Sequence, residues 1–133
     1  MFRKVIKTGV EAQTKFLAGV NKVDEIIGST LGPGGMNIIT TEKYRPPYIS
    51  NDGANNARKI VLDDVTEDQA AQVMIEVSMS TAYQVGDGTT TSVVIGSELV
   101  RNGIERLRDE ANSDAILTGG TKTNPMGLWR DIQ

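Results

Sequence analysis

A chain of 133 residues with a net charge of −3 is long enough for one modest core and carries no basic footprint for nucleic acid. It contains neither cysteine nor histidine, which excludes disulfides, thiolate or imidazole metal sites and histidine-based triads. Chemistry is left to carboxylates, hydroxyls, lysines or a bound metal, and any grip on polyphosphate to backbone amides, a helix end and a cation. No stretch approaches the roughly 18 apolar residues of a membrane span. The basic start Met1-Phe2-Arg3-Lys4-Val5-Ile6-Lys7 is not followed by an apolar signal core. The expectation is a cytoplasmic protein with neither nucleic-acid nor membrane partners.

In chain order, residues 2–8 alternate loosely and predict a short strand whose partner edge lies elsewhere, on a neighbouring subunit. Phe16, Val20, Val23 and Ile27 recur at helical spacing and predict a helix over 10–27, ended by Gly28. Thr30 to Gly35 reads as a loop. Residues 37–41 and 48–50 predict two short strands joined through Arg45-Pro46-Pro47. Asn51-Asp52-Gly53 punctuates the chain, followed by a short helix over 54–60 and a break over 62–65. Residues 67–84 give the clearest helix, with Ala70, Val73, Met74 and Val77 along one face. A further helix over 89–109 places Val93, Leu99 or Val100, Ile104 and Leu107 inside. Residues 112–123 read as a surface loop, and Asn124-Pro125 restarts a helix with Asn as cap and Pro at the first position. Trp129 is expected to cover an apolar surface.

Three glycine-rich breaks, at 30–35, 51–53 and 86–91, share a chemical type. The richest is Gly86-Asp87-Gly88-Thr89-Thr90-Thr91. Its glycines let backbone approach a ligand closely, and the following helix start offers free N–H groups and a positive dipole end to anionic oxygens. A carboxylate beside phosphates requires a cation between them, and Mg²⁺ typically takes one or two carboxylates plus phosphate oxygens. The ordinary alternative is an interhelical turn with Thr89 as N-cap. Leu31-Gly32-Pro33-Gly34-Gly35 is either a backbone clamp over a nucleotide or a plain helix-to-strand turn; it is neither a P-loop nor a dinucleotide fingerprint. Asn51-Asp52-Gly53 is either a common turn or a carboxylate that orients water near a terminal phosphate. The acidic cluster Asp63, Asp64, Glu67 and Asp68 leads into a helix and suits its positive end.

Taken together, Thr30-Leu31-Gly32-Pro33-x-Gly35, Asn51-Asp52-Gly53 and Gly86-Asp87-Gly88-Thr89-Thr90-Thr91 resemble, in order and approximate spacing, the nucleotide-binding motifs of the chaperonin family. Val20-Asn21, Glu76-Val77 and Asn124-Pro125-Met126-x-Leu128 agree with it, so the resemblance spans nearly the whole chain. It implies a mainly α, equatorial-domain-like helical bundle with a small β-hairpin and an N-terminal strand. Residues 1–133 would form the N-terminal segment of the equatorial nucleotide-binding domain, with the intermediate and apical domains absent from this chain. It further implies ATP and Mg²⁺ as ligands, with K⁺ admitted near Thr30 and Thr90. Thr30, Leu31, Gly32 and Pro33 would lie against the phosphates, while Asn51, Asp52 and Gly53 would flank the γ-phosphate, Asp52 assisting the attacking water. Asp87 would ligate magnesium, and Gly88, Thr89, Thr90 and Thr91 would cradle the β- and γ-phosphates. The implied partners are homo-oligomeric ring neighbours and unfolded protein clients, the latter through domains absent here.

Some positions depart from the family pattern. Gly34 stands where a basic residue is usual, and 112–123 is longer than usual. Ser50-Asn51-Asp52-Gly53 is similar to archaeal and eukaryotic relatives, while Asn124-Pro125-Met126 is similar to bacterial ones. A half-built site also leaves room for a rival reading: a non-enzymatic structural protein on a truncated chaperonin scaffold, completing its fold with partner chains. An unrelated phosphotransferase with a glycine-rich site is a third.

Overall fold

The structure, a computed structural model, describes residues 5–117, with side chains described for 5–112. The elements run α1 (Gly9–Gly28), β1 (Ile38–Thr40), β2 (Tyr48–Ser50), α2 (Gly53–Ala57), α3 (Val65–Val85) and α4 (Thr89–Leu117). The expected mainly helical fold with one small hairpin is what forms. The chain divides into two compact units, Met1–Glu98 and Leu99–Gln133. The first holds the α1–α3 pair, the hairpin, α2 and the opening turns of α4.

The core of that first unit begins with the α1 stripe. Val20, Val23 and Ile27 are fully buried, as their spacing predicts, and Phe16 is half-buried. Facing them, α3 buries Ala70, Ala71, Met74, Ile75 and Ser78. Ala70 and Met74 of the predicted face are buried, whereas Val73 and Val77 are exposed. The reason lies at Gly19 on α1, where a Cβ would strike the Glu67 carbonyl and come within 2.9 Å of Ala70 Cβ. Helices this close must meet through small residues, so the alanine side of α3 turns inward and Val73 and Val77 turn out. Val93 on α4 completes the core, and Val94 comes within 3.4 Å of where a Gly28 Cβ would sit.

Charges lock the same helix pair. Asp64 caps α3, its Oδ1 accepting from the Thr66 and Glu67 amides at 3.0 Å each. Its other oxygen accepts from Lys15 Nζ on α1 at 2.8 Å. Glu67, buried, pairs with Lys22 and lies 3.7 Å from Lys15. The acidic cluster is therefore structural, as its position before a helix suggested. The Lys15 hydrogen bond and then the Glu67 amide hold the Asp64 carboxyl down at about 2. A carboxyl depressed in the folded state stabilises fully above the unfolded value of about 3.9 and ceases to do so as pH falls through the folded one. Urea midpoints should therefore fall on acidification from about pH 4 to about pH 2, and Asp64→Ala should flatten that part of the profile.

Several element ends differ from expectation. Residues 5–8 join no ladder among the described residues, because the two-stranded sheet lies elsewhere; residues 1–4 of the expected N-terminal strand lie outside the described residues. Gly28 is the last helical residue of α1 but not a left-handed cap. The helix instead closes on hydroxyls, with Ser29 Oγ donating to the Ile26 carbonyl and Thr30 Oγ1 to the Ile27 carbonyl, both at 2.7 Å. Strands β1 and β2 pair antiparallel with Ile39 opposite Ile49, and Lys59 Nζ sits 3.6 Å from the Tyr48 ring centroid, tying the segment after α2 to the hairpin. α2 is shorter than expected, ending at Ala57. α4 runs on through 112–117, expected as loop, since no glycine or proline interrupts it there. In the second unit Ile104 is buried and Val100 and Leu107 half-buried, whereas Leu99 is 68% exposed. The expected helix from Asn124, the loop 118–123 and Trp129 lie outside the described residues.

Candidate functional site

The three glycine-rich breaks meet at one side chain, Thr90 in the first turn of α4. Thr30 Oγ1, at the end of α1, is 3.4 Å from Thr90 Oγ1. From the other direction Gly53, the first residue of α2, is packed so that a Cβ would strike Thr90 Oγ1 and lie 3.7 Å from Ile27. Residues 30, 53 and 90 are far apart in sequence and adjacent in space. Glycine at 53 is a steric requirement of that adjacency.

Each loop is built locally for its place. The 30–35 loop turns at Gly32, with φ of +79°. It is pinned by the Gly35 amide donating to the Gly32 carbonyl at 3.0 Å and the Met36 amide to the Ser29 carbonyl at 2.8 Å. Leu31, Gly32 and Pro33 are exposed. In the 51–53 loop, Asp52 is the N-cap of α2. Its Oδ1 accepts from the Ala54 amide at 3.0 Å and the Asn55 amide at 3.4 Å, and its Oδ2 from Asn55 Nδ2 at 2.6 Å. The ordinary turn role of this motif is thus realised. Ser50 and Asn56, to which sequence reasoning gave no role, steady the loop: Ser50 Oγ accepts from the Asp52 amide at 3.0 Å, and Asn56 Nδ2 donates to the Ser50 carbonyl at 3.0 Å. Polar residues flanking a short Asp-Gly turn were the available signal.

The 86–91 loop departs from a plain capped turn. Gly86 ends α3 in the left-handed conformation and its amide donates to the Ala82 carbonyl at 2.9 Å. Gly88 is also left-handed, with φ of +80°. The first bond of α4 runs from the Ser92 amide to the Gly88 carbonyl at 2.9 Å, so Gly88, not Thr89, holds the capping position. The Asp87 carboxylate accepts from the Gly88 amide at 2.7 Å. α2 and α3 have their first-turn amides capped by Asp52 and Asp64. By contrast, no side chain among the described residues caps the Thr89, Thr90 and Thr91 amides, and the first turn of α4 has no acidic residue. An open helix start is an anion-accepting end.

All three loops fall within the span of one family match. The model of the TCP-1/cpn60 chaperonin family matches residues 23–126, well over half of the chain. The chain belongs to the chaperonin family. Its role is chaperonin-like in general terms, and the match contains all three loops and the Thr90 junction that joins them. Among the described residues this chaperonin chain has no helix long and apolar enough to cross a membrane. Nor do those residues gather three carboxylates into a metal cage.

Proposed function

We propose that this chain is the N-terminal part of a chaperonin equatorial domain and that the Thr90 junction is where it binds Mg-ATP. The observation that supports the reading most is the meeting of three separate loops at the uncapped start of α4. Chaperonins are generally ATP- and magnesium-dependent, and this arrangement has the parts such a ligand needs. Bound there, the magnesium–triphosphate group would supply a polarised terminal phosphate. Asp87, on a backbone freed by Gly86 and Gly88, would hold the metal. The amides of Thr89, Thr90 and Thr91 would take phosphate oxygens, with Thr30, Leu31, Gly32 and Pro33 forming the facing wall. Gly34 leaves that wall without a charge, so backbone donors carry the attraction.

Asp52 would orient the attacking water beside Asn51 and Gly53. A carboxylate has about four lone-pair sites. The two bonds at Oδ1 and one at Oδ2 leave a single position on Oδ2, in a fixed direction. A rigid acceptor of this kind positions water without reorganising. Assembly into a homo-oligomeric ring, a K⁺ ion near Thr30 and Thr90, a cytoplasmic setting and coupling of hydrolysis to client folding belong to the same proposal.

The test is a calorimetric titration of the chain with Mg-ATP. Saturable binding is expected, and Thr90→Val, which removes the hydroxyl that would donate to a phosphate oxygen beside the amide, should weaken it about tenfold or more, since a hydrogen bond to a charged group is worth about 1.5–3 kcal/mol. Absence of saturable binding by the native protein in its assembled form would sink the reading and favour the non-enzymatic scaffold.

A further inference from the structure

Three dipeptides in the described chain can close on themselves: Asp52-Gly53, Asp87-Gly88 and Asn102-Gly103. In each, the side-chain carbonyl carbon can be attacked by the next residue's amide nitrogen, unshielded because glycine has no Cβ. In a flexible peptide at neutral pH the asparagine pair is the most reactive, because a neutral amide carbon accepts a nucleophile more readily than the carbon of an ionised carboxylate. The fold changes that order.

Asn102 and Gly103 lie inside α4, where helical backbone holds the attacking amide in the hydrogen-bond ladder. Asp52 has its carboxylate fixed over the Ala54 and Asn55 amides, two and three residues on, and Gly53 is buried. Asp52 is exposed as well, so what sets Asp87 apart is its backbone and the partner of its carboxylate. Asp87 lies exposed between two left-handed glycines, outside any helix, and its Oδ1 accepts from the Gly88 amide at 2.7 Å, which brings Cγ beside that nitrogen. A Cβ at Gly88 would meet only Thr81 Cγ2, at 3.8 Å, so little crowds the approach.

We infer that Asp87-Gly88 is a site of spontaneous isomerisation in the folded chain. The Gly88 nitrogen gives its proton to solvent and bonds to Asp87 Cγ; one carboxyl oxygen takes up two protons from solvent, its C–O bond breaks and it leaves as water, and a five-membered succinimide results. Water then reopens the ring. Attack at the former side-chain carbonyl restores aspartate, and attack at the main-chain carbonyl leaves isoaspartate, with the chain running through the old side chain. No oxidant or co-reactant is needed. This inference rests on backbone geometry and does not depend on nucleotide binding.

Ageing the chain at neutral pH, folded and in concentrated urea, with peptide mapping for isoaspartate, tests it. In the folded sample position 87 should accumulate isoaspartate several-fold faster than 52 or 102. In urea the ranking should invert, with Asn102-Gly103 leading. Asp87→Glu, which lacks the five-membered ring geometry, should remove the folded-state signal while its helical circular dichroism stays unchanged. Equal or faster reaction at 52 or 102 in the folded chain, or persistence of the signal in the Asp87→Glu chain, overturns the inference.

Discussion

Gly19→Ala is expected to destabilise the chain by about 2–3 kcal/mol, whereas Gly103→Ala is expected to stabilise it by about 1 kcal/mol. Both replace a helical glycine, and both gain the same helix propensity. At Gly103 a Cβ meets nothing within 4 Å, so the gain stands alone. At Gly19 the added carbon strikes the Glu67 carbonyl and Ala70 Cβ. Backbone cannot rotate away as a side-chain tip can, so α1 and α3 must separate, loosening the Val20, Val23 and Met74 contacts behind them. Against a typical total of about 5–15 kcal/mol, that loss is large. Urea denaturation of the two variants checks it; a Gly19→Ala chain as stable as the parent would contradict the close crossing.

The second large effect separates the two aspartates of the proposed site. Asp87→Ala should abolish measurable Mg-ATP binding, because the proposed metal ligand is removed and the described residues offer no three-carboxylate alternative. Asp52→Ala should bind Mg-ATP nearly as well as the parent and slow turnover in the assembled form by about 10²–10⁴, the usual worth of a positioned acid–base group. Because Asp52 also caps α2, that variant should lose about 1 kcal/mol of stability. Asp52→Asn keeps an acceptor for the cap and distinguishes the two roles: stability restored, turnover still slow. Loss of binding in Asp52→Ala with retention in Asp87→Ala would reverse the assignment.

Much of this was legible from residues alone. The 3-and-4 spacing of Val20, Val23 and Ile27 marks a buried helical stripe, and Asp64 before Glu67 marks a helix start. Loops 30–35, 51–53 and 86–91 could be flagged by their glycines and hydroxyls, and their shared chemistry hinted at a shared place. What periodicity missed was the rotation of α3. Val73 and Val77 are more apolar than Ala71 and Ser78, yet the small residues face inward because Gly19 sets the distance between axes. That is a two-helix property, invisible to either segment by itself. The extension of α4 past residue 109 was missed because Asn112, Ser113 and Asp114 are turn formers, a weak preference that does not stop the helix where no glycine or proline stands between 112 and 117. The role of Gly53 was likewise hidden, since an Asp-Gly pair reads as a turn whatever stands across from it.

The hydroxyls at the end of α1 have a directional consequence. Thr30 owns one proton, and it is committed to the Ile27 carbonyl at 2.7 Å. In its contact with Thr90, therefore, Thr30 can only receive, and Thr90 must give. The pair forms a one-way relay, from Thr90 through Thr30 into the last carbonyls of the first helix. An anion that claims the Thr90 proton breaks that relay, whereas a cation resting on the exposed lone pairs leaves it whole. The two kinds of visitor thus leave opposite marks on the same pair of threonines.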